Sequence, residues 1–146
     1  MRNDTEKLSY LQAIVQAHRE EMRRDENVIL LGEDIAVYGF QDLFNEFDET
    51  RLRNAPLSEG SFTGVGIGAA LTGLRPIVDL TIASFAYLAS DQLINQAAKL
   101  RFMTGGQLKV PFVLRMSTFY NNRTAAQHAD RPYPLFMNTP DRKSVV

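Results

Sequence analysis

Cysteine is absent from the 146 residues, which excludes disulfides, thiolate metal centres and cysteine nucleophiles and leaves the redox compartment unreadable from thiols. Basic charge is not in excess. Sixteen Lys and Arg against 17 Asp and Glu give a net charge of −1, so the basic stripe of a nucleic-acid binder is missing. No apolar run approaches the roughly 18 residues needed to cross a bilayer, and the polar opening MRNDTEKLSY is unlike a secretory signal. The two histidines, His18 and His128, stand far apart with no neighbouring ligand spacing, so the chain shows no metal motif. Neither a P-loop nor a G-x-S-x-G elbow occurs. What remains is one domain's length, residues 1–146, expected to be a soluble intracellular protein.

Apolar residues at Leu8, Leu11, Ile14, Val15 and Met22 recur at three- and four-residue steps. That spacing predicts an amphipathic helix over Thr5–Arg24, with His18 on its solvated side. Val28–Leu31 is a short continuous apolar run, the pattern of a strand buried on both faces in a parallel sheet. It ends in Gly32-Glu33-Asp34, a loop at the carboxyl edge where ligands of open α/β sheets collect. Tyr38–Asn54 is charged and irregular, with a short helix expected around Leu43–Phe47. Ile77–Thr81 and Pro111–Met116 read as further strands and Ser84–Arg101 as a helix stopped by Gly105-Gly106. Thr118–Pro134 reads as a polar loop, and Ser144–Val146 as the start of a fourth strand. Strands alternating with helices imply an α/β fold with a mainly parallel sheet sandwiched between helices.

Three places stand out as chemically useful. Gly64-Val65-Gly66-Ile67-Gly68-Ala69 formally matches the dinucleotide fingerprint, but a polar, proline-containing segment precedes it where a strand is required. The better reading is a helix with a small-residue face, formed by Gly64, Gly68 and Ala69, that packs tightly and holds the preceding Glu59 rigidly. Glu59 itself is either a favourable charge at a helix start or a carboxylate at the rim of an apolar cleft, suited to proton relay. Phe85, at a strand-to-helix junction, is either core or a stacking platform for a flat heterocycle. His128, in the polar stretch Thr124–His128, suits acid–base work better than a histidine on a helix.

Together these segments resemble the beta subunits of the decarboxylating component of pyruvate, acetoin and branched-chain 2-oxoacid dehydrogenases. The matching stretches are LGEDIAVYG (31–39), PLSEGSFTGVGIGAALTGLRPIVD (56–79), FAYLASDQLINQAAKLRFMTGG (85–106), VPFVLR (110–115) and AAQH (125–128). The S-E-x-x-F-x-G block followed by D-Q-x-x-N-x-A-A-K is the specific pairing. The resemblance implies the pyrimidine-binding domain of a thiamine diphosphate enzyme. It makes Glu59 the catalytic carboxylate that hydrogen-bonds the aminopyrimidine ring, favouring the imino tautomer that removes the thiazolium proton. It makes Phe85 the residue stacked on that ring, and places Leu57 and Thr81 at its border. His128 would line the cavity of a small 2-oxoacid substrate, whose acyl group passes to a lipoyl acyltransferase component.

Two departures shape the expectation further. No G-D-G motif with a downstream asparagine is present, so by resemblance the diphosphate and magnesium are held by a separate alpha subunit, with a second beta subunit completing the assembly. The family continues through a carboxyl-terminal domain that is missing here, and the ending Asp141–Ser144 differs from the usual P-G-L-K, so a truncated, inactive fragment is expected. Ser117–Arg123 also differs from the family's glycine-rich loop and leaves substrate choice open. Cytoplasm, or mitochondrial matrix in a eukaryote, is the compartment implied. Transketolase or deoxyxylulose phosphate synthase would use the same glutamate on the same fold, and a non-catalytic α/β assembly module is the alternative of another class.

Overall fold

A computed structural model describes residues 7–118 and 125–140. The expected fourth strand at Ser144–Val146, the first residues of the amino-terminal helix and most of the Ser117–Arg123 stretch lie outside the described residues.

Helix α1 spans Tyr10–Arg24. Its start is fixed by a capping box: Ser9 Oγ accepts from the Gln12 N–H at 3.2 Å, and Gln12 Oε1 accepts from the Ser9 N–H at 2.8 Å. Arg23 and Arg24 in the last turn complement the helix dipole. Strand β1 (Val28–Glu33) is buried at all six residues, as a doubly covered parallel strand must be. A 3-10 turn at Gln41–Asn45 leads to β2 (Leu52–Ala55), then α2 (Glu59–Leu71), β3 (Arg75–Ile82) and β4 (Val113–Ser117). The sheet order is β2-β1-β3-β4, parallel throughout. This is the α/β architecture expected from the sequence, with an added edge strand, β2.

Alternate side chains of β1 go to opposite faces. Val28 and Leu30 join Val15 and Met22 of α1, with Phe40, Leu43 and Leu52, in one core cluster. Ile29 and Leu31 join Phe62 of α2, Val78 and Leu80 of β3, and Leu93 in the other. His18 belongs to the first layer. It is buried, not solvated as expected, because its position completes the Val15–His18–Met22 stripe of α1. Its Nδ1–H donates to the Ile14 carbonyl at 2.7 Å, its ring lies 5.4 Å from Phe40, and burial lowers its pKa.

The expected Ser84–Arg101 helix is three pieces: a 3-10 turn (Ala83–Tyr87), a π-helical segment (Asp91–Ala97) and α3 (Ala98–Met103). Gly105 and Gly106 do end it, both with positive φ. A 3-10 turn at Ala126–His128 lies within the Thr118–Pro134 stretch expected to be loop, and α4 (Tyr133–Met137) starts at its end.

The small-residue face of α2 is real but differently placed. A Cβ on Gly66 would lie 2.5 Å from Val78 Cγ2, one on Gly64 would lie 3.3 Å from Gln92 Oε1, and one on Gly60 would lie 3.1 Å from the Leu88 carbonyl. Gly68 faces open space. Helix α2 therefore presses on β3 through Gly66 and on the Leu88–Gln92 stretch through Gly60 and Gly64. We expect Gly66→Ala to destabilise the chain by about 1–3 kcal/mol through overpacking. Gly68→Ala should stabilise it by roughly 0.5–1 kcal/mol through helix propensity. Urea midpoints with unchanged slopes measure both.

Candidate functional site

The carboxyl ends of β1 and β3 and the amino end of α2 meet at one rim of the sheet. Glu59 is the first residue of α2 and half-buried. Ser58, at the cap position, does not cap with its side chain. Its hydroxyl donates to the Pro56 carbonyl at 3.1 Å instead.

The sequence reading missed Glu33. It is the last residue of β1, only 1% exposed, and neither carboxylate oxygen has a hydrogen-bond partner among the described residues. Burial pushes its pKa up to about 7, and the nearby charge of Glu59 is the next contributor, ahead of Asp34 and Asp79. Glu33 and Glu59 therefore feel one another, and a proton on Glu33 relieves both the desolvation and the repulsion. Read as part of a Gly-Glu-Asp loop, Glu33 gave no reason to be inside. The available signal was its place directly after four apolar residues of a doubly buried strand.

Thr81 adopts the left-handed region at φ 61°, where a β-branched residue is a genuine outlier; such strain is of order 1–3 kcal/mol. Its Oγ donates to the Glu33 carbonyl at 3.0 Å, tying β3 to the end of β1. Asp34 and Ala125, with φ 53° and 64°, are the other non-glycine residues in this region among the described ones. Asp34 directly follows Glu33, and Ala125 lies three residues before His128.

Phe85 and His128 are brought together across 43 residues of chain: their ring centroids lie 5.3 Å apart at 88°, edge to face. The contact is braced next door, where Ser84 Oγ donates to the Gln127 carbonyl at 2.5 Å. Phe85 is half-buried against the second core cluster, so it serves partly as core as well. Leu57, two residues before Glu59, is 75% exposed, an apolar side chain on the approach to α2. Four of the five expected residues thus fall into two sets, Glu59 with Thr81 through Glu33 and Phe85 with His128, while Leu57 belongs to neither. The four-residue step from Thr81 to Phe85 joins them.

Two cavities, of about 640 and 460 Å³, lie elsewhere, one along α3 at Phe102 and Gly106 and one between α1 and the 3-10 turn after β1. Neither is lined by Glu59, Glu33 or Phe85.

The family described as the transketolase pyrimidine-binding domain matches residues 6–146. The chain belongs to that family. It is 40% identical, over 156 residues, to the beta subunit of acetoin:2,6-dichlorophenolindophenol oxidoreductase of Bacillus subtilis strain 168, covering 95% of this chain and 46% of that protein. It is 41% identical to the pyruvate dehydrogenase E1 component subunit beta of Rhizobium meliloti strain 1021, covering 92% and 30%. To the protein of that name from Gracilaria tenuistipitata var. liui it is 38% identical, covering 92% and 43%. The chain therefore spans less than half the length of these curated relatives. Among the described residues of this pyrimidine-binding domain, no helix is long and apolar enough to cross a membrane.

The raised pKa of Glu33 fixes a pH dependence. The unfolded glutamate titrates near its ordinary 4.5 and the folded one near 7, so the native state holds an extra proton between those values. The stability contributed by the neutral carboxyl is full below about 4.5 and is lost as pH rises through about 7. Glu33→Gln, permanently neutral, is expected to match the native chain near pH 4.5 and exceed its stability near pH 8. Urea midpoints at the two pH values check this; equal differences at both would contradict it.

Proposed function

We propose that the chain is the pyrimidine-binding part of the beta subunit of a thiamine diphosphate-dependent 2-oxoacid dehydrogenase, with Glu59 as its catalytic carboxylate. The observation that carries the reading is a pair of interacting acids at the sheet's carboxyl rim: Glu59 at the head of α2, whose charge reaches a buried Glu33 with no partner for either oxygen among the described residues. Relatives named as beta subunits of an acetoin:2,6-dichlorophenolindophenol oxidoreductase and of the pyruvate dehydrogenase E1 component support the oxidoreductase over a transketolase-like transfer enzyme or a non-catalytic module.

The residues present suit the pyrimidine end of the cofactor. An aminopyrimidine is flat, apolar on its faces and basic at a ring nitrogen. Half-buried Phe85 and exposed Leu57 offer apolar contact for its faces, and Thr81 borders it. Bound thiamine diphosphate supplies a carbon nucleophile and an electron sink for decarboxylation. The protein's part is acid–base work and exclusion of water. The Glu59 carboxyl holds a proton at the ring nitrogen, through a charge-assisted hydrogen bond of about 1.5–3 kcal/mol. Next to it, Glu33 keeps the rim from carrying two full negative charges. His128, held edge-on by Phe85, is placed to exchange a proton with the small 2-oxoacid.

A separate alpha subunit holds the diphosphate and magnesium, a second beta subunit completes a heterotetramer, and a lipoyl acyltransferase component accepts the acyl group. The compartment is the cytoplasm, or the mitochondrial matrix in a eukaryote.

The test uses the full-length chain assembled with its alpha subunit. Glu59→Gln is expected to lower kcat by about 10²–10⁴-fold while the complex still assembles; near wild-type turnover would leave only the non-catalytic module. Phe85→Ala is expected to weaken thiamine diphosphate binding by roughly 2–10-fold, the worth of one aromatic contact. An unchanged dissociation constant by calorimetry would remove Phe85 from the site.

A further inference from the structure

The face of the sheet opposite Glu33 carries a buried ion pair that the proposed chemistry does not use. Asp79 of β3 is 1% exposed and pairs in register with Arg115 of β4. Arg115 Nη1 lies 2.5 Å from Asp79 Oδ2, and its Nη2 donates to Ser117 Oγ at 3.0 Å. The guanidinium stacks 5.2 Å from the centroid of Phe40, which also meets His18 beneath α1. Asp79 is therefore sealed on the α1 side of the sheet, with Arg115 partly exposed beside it.

Its second carboxylate oxygen points along the strand. Asp79 Oδ1 accepts from the Thr81 N–H at 2.8 Å, a short turn made by a side chain to the backbone two residues on. The register shifts at this point: three steps along β3, from Asp79 to Ile82, face two along β4, from Arg115 to Ser117. One extra residue is thus accommodated in β3, as in a β-bulge, and Thr81 takes the left-handed conformation within it. Thr81 Oγ then donates to the Glu33 carbonyl. Arg115, Asp79, Thr81 and Glu33 form a continuous chain of hydrogen bonds from one face of the sheet to the other. Gly32, paired with Asp79, makes room for it, since a Cβ there would collide with the Asp79 carbonyl oxygen.

We infer that Asp79 and Arg115 are positioning residues: they hold Thr81 in its strained conformation and so set the rim that receives the cofactor's pyrimidine. This rests on the function proposed above. Neither residue touches the reacting atoms, so their loss should act on cofactor affinity before it acts on turnover at saturation.

The test uses the full-length chain assembled with its alpha subunit. Asp79→Asn, which loses the charge facing Arg115, is expected to raise the Kd for thiamine diphosphate about tenfold, the scale of one hydrogen bond to a charged group, with kcat at saturating cofactor within about twofold. Amide hydrogen exchange at Thr81, read without cofactor, should speed up while the amides of α1 are unchanged. Glycine adopts positive φ without strain, so in a Thr81→Gly background Asp79→Asn should cost little further affinity. A full tenfold cost in that background would overturn the inference. If Asp79→Asn does not assemble, Arg115→Lys serves, with a smaller rise in Kd and faster Thr81 exchange expected. Unchanged affinity and exchange in whichever variant assembles would overturn the positioning role. Glu59→Gln as a control separates the two ideas: retained turnover there overturns the cofactor assignment, whereas an inactive Glu59→Gln beside an unaffected Asp79→Asn overturns the positioning role alone.

Discussion

A carboxyl group kept from water at the end of a central parallel strand constrains everything around it. Glu33 is closed off by the same packing that buries the rest of β1, and no donor among the described residues meets its oxygens. In that setting the neutral acid is favoured up to about pH 7. Glu59, half-buried at the head of α2, contributes to that shift. Burial first, and the charge of Glu59 next, thus favour a proton on Glu33 near neutral pH. In the proposed function, that property is what an aminopyrimidine ring would meet.

The surrounding structure fixes these two groups through backbone contacts more than through side-chain bonds. Glu59 is placed by a helix that rests on Val78 at Gly66 and on the Leu88–Gln92 stretch at Gly60 and Gly64. Glu33 is placed by β1, whose end is tied to Thr81. Small residues allow such close approach because there is no side chain to hold the backbones apart. Rigidity at the rim thus depends on glycine in α2 and on a bulge in β3, both distant in sequence from the α1 helix that seals the other face.

Much of this was legible from residue order alone, and the misses have physical causes. Val28–Leu31 and Ile77–Thr81 announced buried parallel strands because both faces are covered. β2 escaped notice because Leu52-Arg53-Asn54-Ala55 is an edge strand with one fully buried side chain, so it shows no apolar run. Ser84–Arg101 has helical periodicity but winds unevenly, through 3-10 and π segments, a choice that side-chain spacing does not encode. His18 was misplaced because its charged neighbours Arg19 and Glu20 hid its three- and four-residue phase with Val15 and Met22. At the rim, Glu59, Phe85 and His128 were singled out from local context, whereas Glu33 and the Asp79–Arg115 pair emerge only when β1, β3 and β4 are laid side by side.

The account turns on where the acid of Glu59 sits relative to the cofactor's ring. A crystal structure of the full-length chain assembled with its alpha subunit and thiamine diphosphate measures this directly. The account predicts a Glu59 carboxylate oxygen about 2.6–3.2 Å from a pyrimidine ring nitrogen, within hydrogen-bond reach, with Glu33 behind it. A ring seated elsewhere, or a Glu59 side chain turned toward solvent with another group at that nitrogen, would contradict it.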